Sequence, residues 1–132
     1  MDRTRTLQVR GPAPPDEVWE RYVHPARWSQ WSPQIRSVRY PHARLVPGTS
    51  GTVVGPLGVG VPFDVLDVDE SDAAARSWTW SARLGPWRLR MRHEVRPAAG
   101  GGTVSRWRVQ GPAPVVAAYV PLAWVALRRL VR

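Results

Sequence analysis

Two alternating stretches separated by only two residues constrain the fold of this chain more than any other feature. Arg76–Leu84 and residues 87–96 place apolar or aromatic side chains at every second position, the period of a half-buried β-strand. The intervening Gly85 and Pro86 leave room only for a tight reversal, so the two strands are predicted to pair as antiparallel neighbours. The resulting ribbon has one aromatic, apolar face and one basic face that meets water.

Turn-forming residues divide the rest of the chain into further elements. Runs of period two predict five more strands, over residues 4–10, 35–40, 51–55, 61–69 and 103–110. After the first strand, Pro15, Asp16 and Glu17 open a short helix, and residues 25–31 predict a second. Residues 114–132 carry apolar side chains at helical spacing and predict a long C-terminal helix, with a kink or a restart at Pro121.

These elements predict an α+β fold in which a curved, seven-stranded antiparallel sheet wraps around the C-terminal helix. The inner face of the sheet needs cover, and only the last helix is long enough to provide it. With 132 residues, the chain has the size of a single domain, so residues 1–132 are expected to share one core. A cavity between sheet and helix is the expected place for a ligand.

Composition excludes several kinds of chemistry. The chain contains no cysteine, which rules out disulfides, thiolate catalysis and cysteine-based zinc sites. The N-terminal segment lacks the apolar core of a signal peptide, and no membrane-spanning segment is expected, so the cytoplasm is the default location. The formal net charge is +9 and every basic residue is arginine, a balance that attracts nucleic acid, anionic lipid or an acidic protein equally well.

Several short motifs occur in an order that strengthens the fold prediction. They are residues 13–19 (APPDEVW), residues 25–33 (PARWSQWSP), Pro47-Gly48, Ser77-Trp78-Thr79-Trp80, His93-Glu94-Val95, Gly102-Thr103 and Gly111-Pro112. In this order they resemble the START-like, or helix-grip, superfamily, in particular its polyketide cyclase/dehydrase and lipid-transport branch. The resemblance covers nearly the whole chain. It implies a helix-grip domain with a largely apolar pocket for a hydrophobic small molecule, aromatic or polyketide-like.

The resemblance leaves two functions open. Some members of the superfamily fold and dehydrate poly-β-ketone chains, and others bind or carry lipids and other hydrophobic ligands, so an enzyme and a carrier or sensor are both compatible with the fold. No organic cofactor is implied. A metal site is not expected, because His24, His42 and His93 fall on different elements without the spacing of metal ligands.

Three side chains are candidates for proton transfer if the protein is an enzyme. His93 is the readily titratable side chain on the inward row of its strand, where an imidazole can protonate a carbonyl or accept a proton from an enol. Tyr40 and Tyr119 are expected to offer phenol groups from opposite walls of the pocket. A histidine bonded within the core and two tyrosines that only pack are the structural alternatives.

The aromatic surface of the chain exceeds what a domain of this size needs for stability, so part of it is expected to line a cavity. The predicted ligand-binding residues are Trp19, Trp28, Trp31, Val54, Val61, Phe63, Trp78, Trp80, Leu89, Met91, Trp107 and Trp124. Flat, rigid indole rings suit an aromatic, polyene or polycyclic ligand.

The basic sheet face offers a competing interpretation. Its arginines are Arg83, Arg88, Arg90, Arg92, Arg96, Arg106 and Arg108. Nucleic-acid binding is disfavoured, because single-strand binding needs aromatic side chains among the cations and the tryptophans lie on the other face. A solubilising role, or docking of an acidic partner such as a carrier protein, fits this face better.

Overall fold

One seven-stranded antiparallel sheet dominates the computed structural model, which describes residues 2–132. The strands are β1 (Asp2–Gly11), β2 (Ser37–Arg39), β3 (Ser50–Val54), β4 (Gly60–Asp69), β5 (Arg76–Leu84), β6 (Trp87–Pro97) and β7 (Thr103–Pro112). Their order is β1-β7-β6-β5-β4-β3-β2, so neighbours in sequence are neighbours in space except where β1 pairs with β7. The predicted α+β helix-grip architecture is confirmed.

Three helices accompany the sheet. They are α1 (Pro15–Val23), α2 (Trp28–Trp31) and α3 (Ala113–Leu130), with a 3₁₀ turn at Pro25–Arg27 between the first two. Helix α1 begins at a proline and carries Asp16 and Glu17 in its first turn, where the acids complement the helix dipole. Both short helices lie between β1 and β2, as predicted.

The central hairpin has the register that the alternation indicates. Trp78 lies opposite His93, and Trp80 lies opposite Met91. All four side chains are buried on the inner face of the sheet. Trp87 departs from the predicted inward row, since it is 49% exposed at the end of the hairpin, beside the turn.

The outer face of the same hairpin is less exposed to solvent than predicted. Thr79 and Ser81 are buried although their row points away from α3. Arginines cover this row from the neighbouring strand, and Arg88 Nη1 donates to Ser81 Oγ over 3.4 Å. The long guanidinium side chains shield the short hydroxyl side chains while their charged ends stay in water.

Helix α3 is continuous from Ala113 to Leu130, which corrects the expectation of a restart at Pro121. Proline supplies no N–H to the helix, so the carbonyl of Ala117 loses its usual donor. Ala117 and Pro121 both lie on the exposed side, where water can bond to that carbonyl. The helix therefore accepts the proline without ending.

Helix α3 also corrects the expectation that no segment reaches the length and hydropathy of a membrane span. Its 18 residues have a mean hydropathy of 1.3, which meets that criterion by length and composition alone. The core helix of a sheet-wrapped domain has the same composition, and α3 packs against β1 and β7. Its buried side is formed by Val116, Ala123, Ala126, Leu127 and Leu130.

The C-terminal end of α3 is tied to both β1 and α1. Ala13 N donates to the Val131 carbonyl over 3.1 Å, and a Cβ on Gly11 would lie only 2.2 Å from that oxygen. Arg21 Nη1 donates to the Leu130 carbonyl over 2.6 Å. These contacts hold the helix against the sheet at one end, which leaves the space under its middle as the place for a cavity.

Candidate functional site

An apolar cavity lies between the inner face of the sheet and the middle of α3. It has an outer lobe of about 240 Å³ and an inner lobe of about 30 Å³. The two lobes adjoin, because five side chains line both of them: Gln34, Ile35, Trp80, Met91 and Tyr119.

The outer lobe is walled by aliphatic side chains from β3, β4, β5 and β6. These are Val53, Val61, Ala82, Leu84 and Leu89. Val59, in the loop between β3 and β4, and Leu122, on α3, line this lobe and are 61% and 43% exposed, so they mark its mouth, the opening to solvent. Leu57, beside the mouth, is 95% exposed and has a positive φ of 63°, an unusual conformation for leucine. The rim is therefore apolar as well.

The inner lobe is enclosed by indole rings. Trp28, Trp31, Trp78, Trp80 and Trp107 all line it. The rings of Trp78 and Trp80 stack with centroids 5.4 Å apart, and that of Trp28 lies 5.5 Å from both. Aromatic rings packed in this way are held rigidly and present flat apolar surfaces to whatever fills the lobe.

His93 borders the inner lobe with both ring nitrogens already bonded. Trp80 Nε1 donates to His93 Nε2 over 2.9 Å, so Nε2 carries no hydrogen and Nδ1 carries the proton of the neutral ring. Nδ1 lies 3.1 Å from the Tyr22 hydroxyl, which is 2.9 Å from Ser105 Oγ. The neutral imidazole thus links β5, β6, α1 and β7 through one chain of hydrogen bonds.

Burial fixes the protonation state of this chain of groups. It lowers the pKa of His93 from 6.5 to about 3, because no anion compensates an imidazolium in the core. Burial also raises the pKa of Tyr22, despite its hydrogen bond to Ser105. At neutral pH His93 is therefore uncharged, and neither group titrates.

Tyr119 and Gln34 form the other polar feature of the cavity. Gln34 Nε2 donates to the Tyr119 hydroxyl over 3.2 Å, while Gln34 Oε1 is buried without a hydrogen-bond partner among the described residues. The Tyr119 ring packs on Trp107 with centroids 5.9 Å apart, and burial raises its pKa. Gln34 was not predicted as a site residue, because it lies in a loop between Pro33 and Ile35 with no periodic pattern.

Most of the predicted ligand-binding residues line the cavity. Those that do are Trp28, Trp31, Val61, Trp78, Trp80, Leu89, Met91 and Trp107. His93 and Tyr119, two of the three predicted proton-transfer residues, also line it.

Tyr40 lies away from the cavity. Its hydroxyl bonds to Thr49 Oγ1 and accepts from the backbone N–H of Val46, and its ring stacks on Phe63 at 5.8 Å. Phe63 packs behind the cavity wall, where its ring lies 5.5 Å from those of Trp28 and Trp80. Tyr40 and Phe63, predicted as pocket residues, thus lie outside the cavity lining in this structure.

The structure places three further residues of the predicted set outside the cavity lining. Trp19, on α1, is buried outside the cavity lining and donates from Nε1 to Glu70 Oε1 over 2.6 Å. Val54 points away from the cavity, whereas Val53, one position earlier, lines it. Trp124 is 42% exposed, with the guanidinium of Arg128 5.7 Å from its ring centre, so it lies on the outer side of α3.

The outer face of the sheet carries the basic surface predicted from the sequence. Arg90, Arg92 and Arg108 are exposed there, and Glu94 pairs with Arg92 at 2.9 Å and with Arg96 at 3.6 Å. Part of the positive charge is thus compensated within the surface. Within residues 2–132, no group of three or more His, Cys, Asp or Glu side chains is placed to hold a metal ion.

Comparison with solved structures shows the same fold in distant proteins. A protein from Nitrosospira multiformis superposes with a TM-score of 0.78 at 15% identity, over 98% of this chain and 94% of that one. Ara h 8.0201 gives a TM-score of 0.75 at 17% identity, over 98% and 95%. A hypothetical protein from Helicobacter pylori gives 0.70 at 17%, over 99% and 86%. No curated protein matches the sequence.

The fold and its cavity define a START-like, helix-grip domain, a class in which a sheet and a long helix enclose a site for a hydrophobic ligand. A family model for polyketide cyclase/dehydrase and lipid transport matches residues 4–132. The chain belongs to this family.

Proposed function

We propose that this protein binds a hydrophobic small molecule with fused aromatic rings in the cavity between the sheet and α3, and holds it without converting it. The observation that supports this most strongly is the apolar cavity of two adjoining lobes, walled by indole rings at its inner end, with the exposed side chains of Val59 and Leu122 at its outer end. Concave, mostly apolar cavities with a few polar groups are the usual form of a small-molecule site.

The size of the cavity supports a small ligand. The outer lobe, at about 240 Å³, lies just below the range of about 300–1,000 Å³ that is typical of ligand pockets. A molecule of two or three fused rings fits such a space, whereas a long folded polyketide chain needs more. Trp80 and Tyr119 line the outer lobe and favour flat rings there, because stacked and edge-on contacts add to the gain from burial.

The bonding of His93 favours binding over cyclisation or dehydration. General acid–base catalysis is most effective when the pKa lies near the working pH, and burial keeps that of His93 at about 3. Both of its nitrogens are engaged by Trp80 and Tyr22. The pKa of Tyr119, the other candidate at the cavity, is raised by burial. A carrier or sensor of the ligand, in the reducing cytoplasm that a cysteine-free chain suits, is therefore the function we favour.

The test is a matched pair of substitutions. Ala82 lines the outer lobe and Ala117 lies exposed on α3, so Ala82→Phe fills the cavity while Ala117→Phe adds the same ring outside it. Isothermal titration calorimetry with 2-naphthol is expected to give saturable binding to the wild type and to Ala117→Phe, and binding at least tenfold weaker to Ala82→Phe. Equal affinity of all three proteins, or no binding to the wild type, contradicts the proposal.

Native mass spectrometry of the freshly purified protein provides a second, independent measurement. A bound molecule of low mass is expected to remain with the wild type and with His93→Gln, and to be lost from Ala82→Phe. Conversion of that molecule by the wild type and not by His93→Gln would refute the non-catalytic part of the proposal.

A further inference from the structure

We infer that Gln34 and Tyr119 recognise a neutral hydroxyl group on the ligand. The ligand enters with this hydroxyl group first, and its apolar body lies in the outer lobe. This inference rests on the proposed function, and it adds the chemical class and the orientation of the ligand. Its basis is the coincidence of two incompletely bonded polar groups at the junction of two largely apolar lobes.

The pair has a free acceptor, Gln34 Oε1, and free donors on the Tyr119 hydroxyl and the second N–H of the Gln34 amide. Because Gln34 Nε2 donates to the Tyr119 oxygen over 3.2 Å, the Tyr119 hydroxyl keeps its own hydrogen for another partner. Gln34 Oε1 is buried and has no partner among residues 2–132. A buried amide oxygen without a hydrogen bond is costly, so a ligand donor that reaches it is favoured.

The presence of both a free donor and a free acceptor does not depend on which way the Gln34 amide is turned. If its nitrogen and oxygen exchange places, the Tyr119 hydroxyl donates to Gln34 Oε1, and the amide N–H becomes the free donor. The Tyr119 oxygen then supplies the free acceptor. In both arrangements the pair can bond a group that donates one hydrogen and accepts another. A hydroxyl meets this requirement with a single atom.

The position of the pair sets the orientation of the ligand. Both residues line both lobes, and the remaining wall of the outer lobe is apolar. The inner lobe, at about 30 Å³, holds a water-sized group but not an aromatic ring. Trp78, which lines this lobe, adds a buried Nε1–H that lacks a partner among the described residues. The polar end of the ligand therefore lies at the pair or beyond it, and the rings point to the mouth.

The cavity lining selects against an ionised ligand. Although the net charge of the chain is +9, none of the residues 2–132 that line either lobe is an arginine. A carboxylate buried there would lose its hydration without gaining an opposite charge, which is expensive. A phenol or an alcohol does not carry this penalty at neutral pH.

The experiment compares 2-naphthol with 2-methylnaphthalene, which has the same rings and a methyl group in place of the hydroxyl. Dissociation constants are measured by calorimetry for the wild type, Gln34→Met, Tyr119→Phe and the control Tyr40→Phe, whose lost hydroxyl lies away from the cavity. The informative quantity is the ratio of the two constants within each protein, because general changes in the cavity cancel. Circular dichroism and thermal unfolding check that each variant is folded.

We expect the preference for the hydroxyl to fall about five- to tenfold in Gln34→Met and in Tyr119→Phe, the range that one net hydrogen bond supplies. The Tyr40→Phe ratio should equal that of the wild type, and 2-naphthoate should bind more weakly than 2-naphthol. If the wild type binds both ligands and the ratios are equal in all variants, the inference is wrong while the proposed function stands. If 2-naphthoate binds most tightly, the neutral-group assignment is wrong. If the wild type binds no ligand, both fail.

Discussion

The buried, neutral His93 makes the stability of this protein depend on pH in a way that one substitution can isolate. In the unfolded chain an imidazole takes up a proton near its ordinary pKa of 6.5, whereas burial lowers the pKa in the folded chain to about 3. Between these values the unfolded state binds more protons, so acid shifts the equilibrium toward it. The stabilisation is fully present above about pH 6.5 and is lost progressively as the pH falls toward 3.

The size of the effect follows from proton linkage. Each pH unit inside this window removes about 1.4 kcal/mol from the free energy of unfolding, so the change from pH 7 to pH 5 removes about 2 kcal/mol. With a urea m-value of about 2 kcal/mol per molar, the unfolding midpoint of the wild type falls by about 1 M more than it would without this histidine.

His93→Gln removes the titration and retains an amide oxygen that can accept the hydrogen bond from Trp80. Urea unfolding, followed by tryptophan fluorescence, gives the free energy of unfolding of each protein at pH 7 and at pH 5. The change between the two pH values is then compared between wild type and variant, so that the contributions of the carboxylates, which both proteins share, cancel. His42→Gln, which removes an exposed imidazole, is the control and should retain the wild-type dependence. The interpretation of His93 as a neutral core residue fails if His93→Gln loses as much stability in acid as the wild type.

Other contacts make predictions of known direction. Gly11→Ala should lower the free energy of unfolding by about 1–3 kcal/mol, because the new Cβ would collide with the backbone of Val131, just after α3. Gly55→Ala, whose Cβ would have its nearest contacts at 3.6 Å, is the control and should lower it less; thermal melts measure both. Thr103→Val removes the buried 2.6 Å hydrogen bond to the Ala13 carbonyl and should cost about 1–3 kcal/mol by urea unfolding; a neutral result would mean that water replaces the hydroxyl. Trp124→Ala should leave the dissociation constant of 2-naphthol within a factor of about two of the wild-type value, because removing an exposed side chain outside the cavity changes little. A large loss of affinity would place Trp124 in the site.

The fold could be predicted closely because its information is local. Alternation and a two-residue turn determine the pairing of β5 with β6, and their register agrees with the sequence at Trp78 and His93. Breakers every ten or so residues make each strand the neighbour of the next. The pairing of β1 with β7 is the exception. It follows from packing around one helix, because β1 and β7 both lie against α3.

The site was harder to predict because it depends on which side of each element faces the cavity. Val53 rather than Val54 lines it, a shift of one position that the loop before β3 decides. On α3 the sheet comes so close that the small side chains of Ala123 and Ala126 are buried, and the bulky ring of Trp124 is directed outward. Hydrophobicity alone favours the opposite choice, because it ranks tryptophan above alanine for burial.

The roles of polar residues were even harder to predict from the sequence, because they depend on neighbours in space. His93 stood out in the sequence as the titratable group on an apolar row, yet its three-dimensional neighbours use both nitrogens and hold it neutral. Gln34 carried no pattern, and it acquires meaning only because its loop meets Tyr119 of α3 across the cavity. A titratable side chain on an inward row is thus weak support for catalysis until its partners are known. An incompletely bonded amide in an apolar cavity is stronger support for ligand recognition, since its unmet hydrogen bond favours a partner that supplies it.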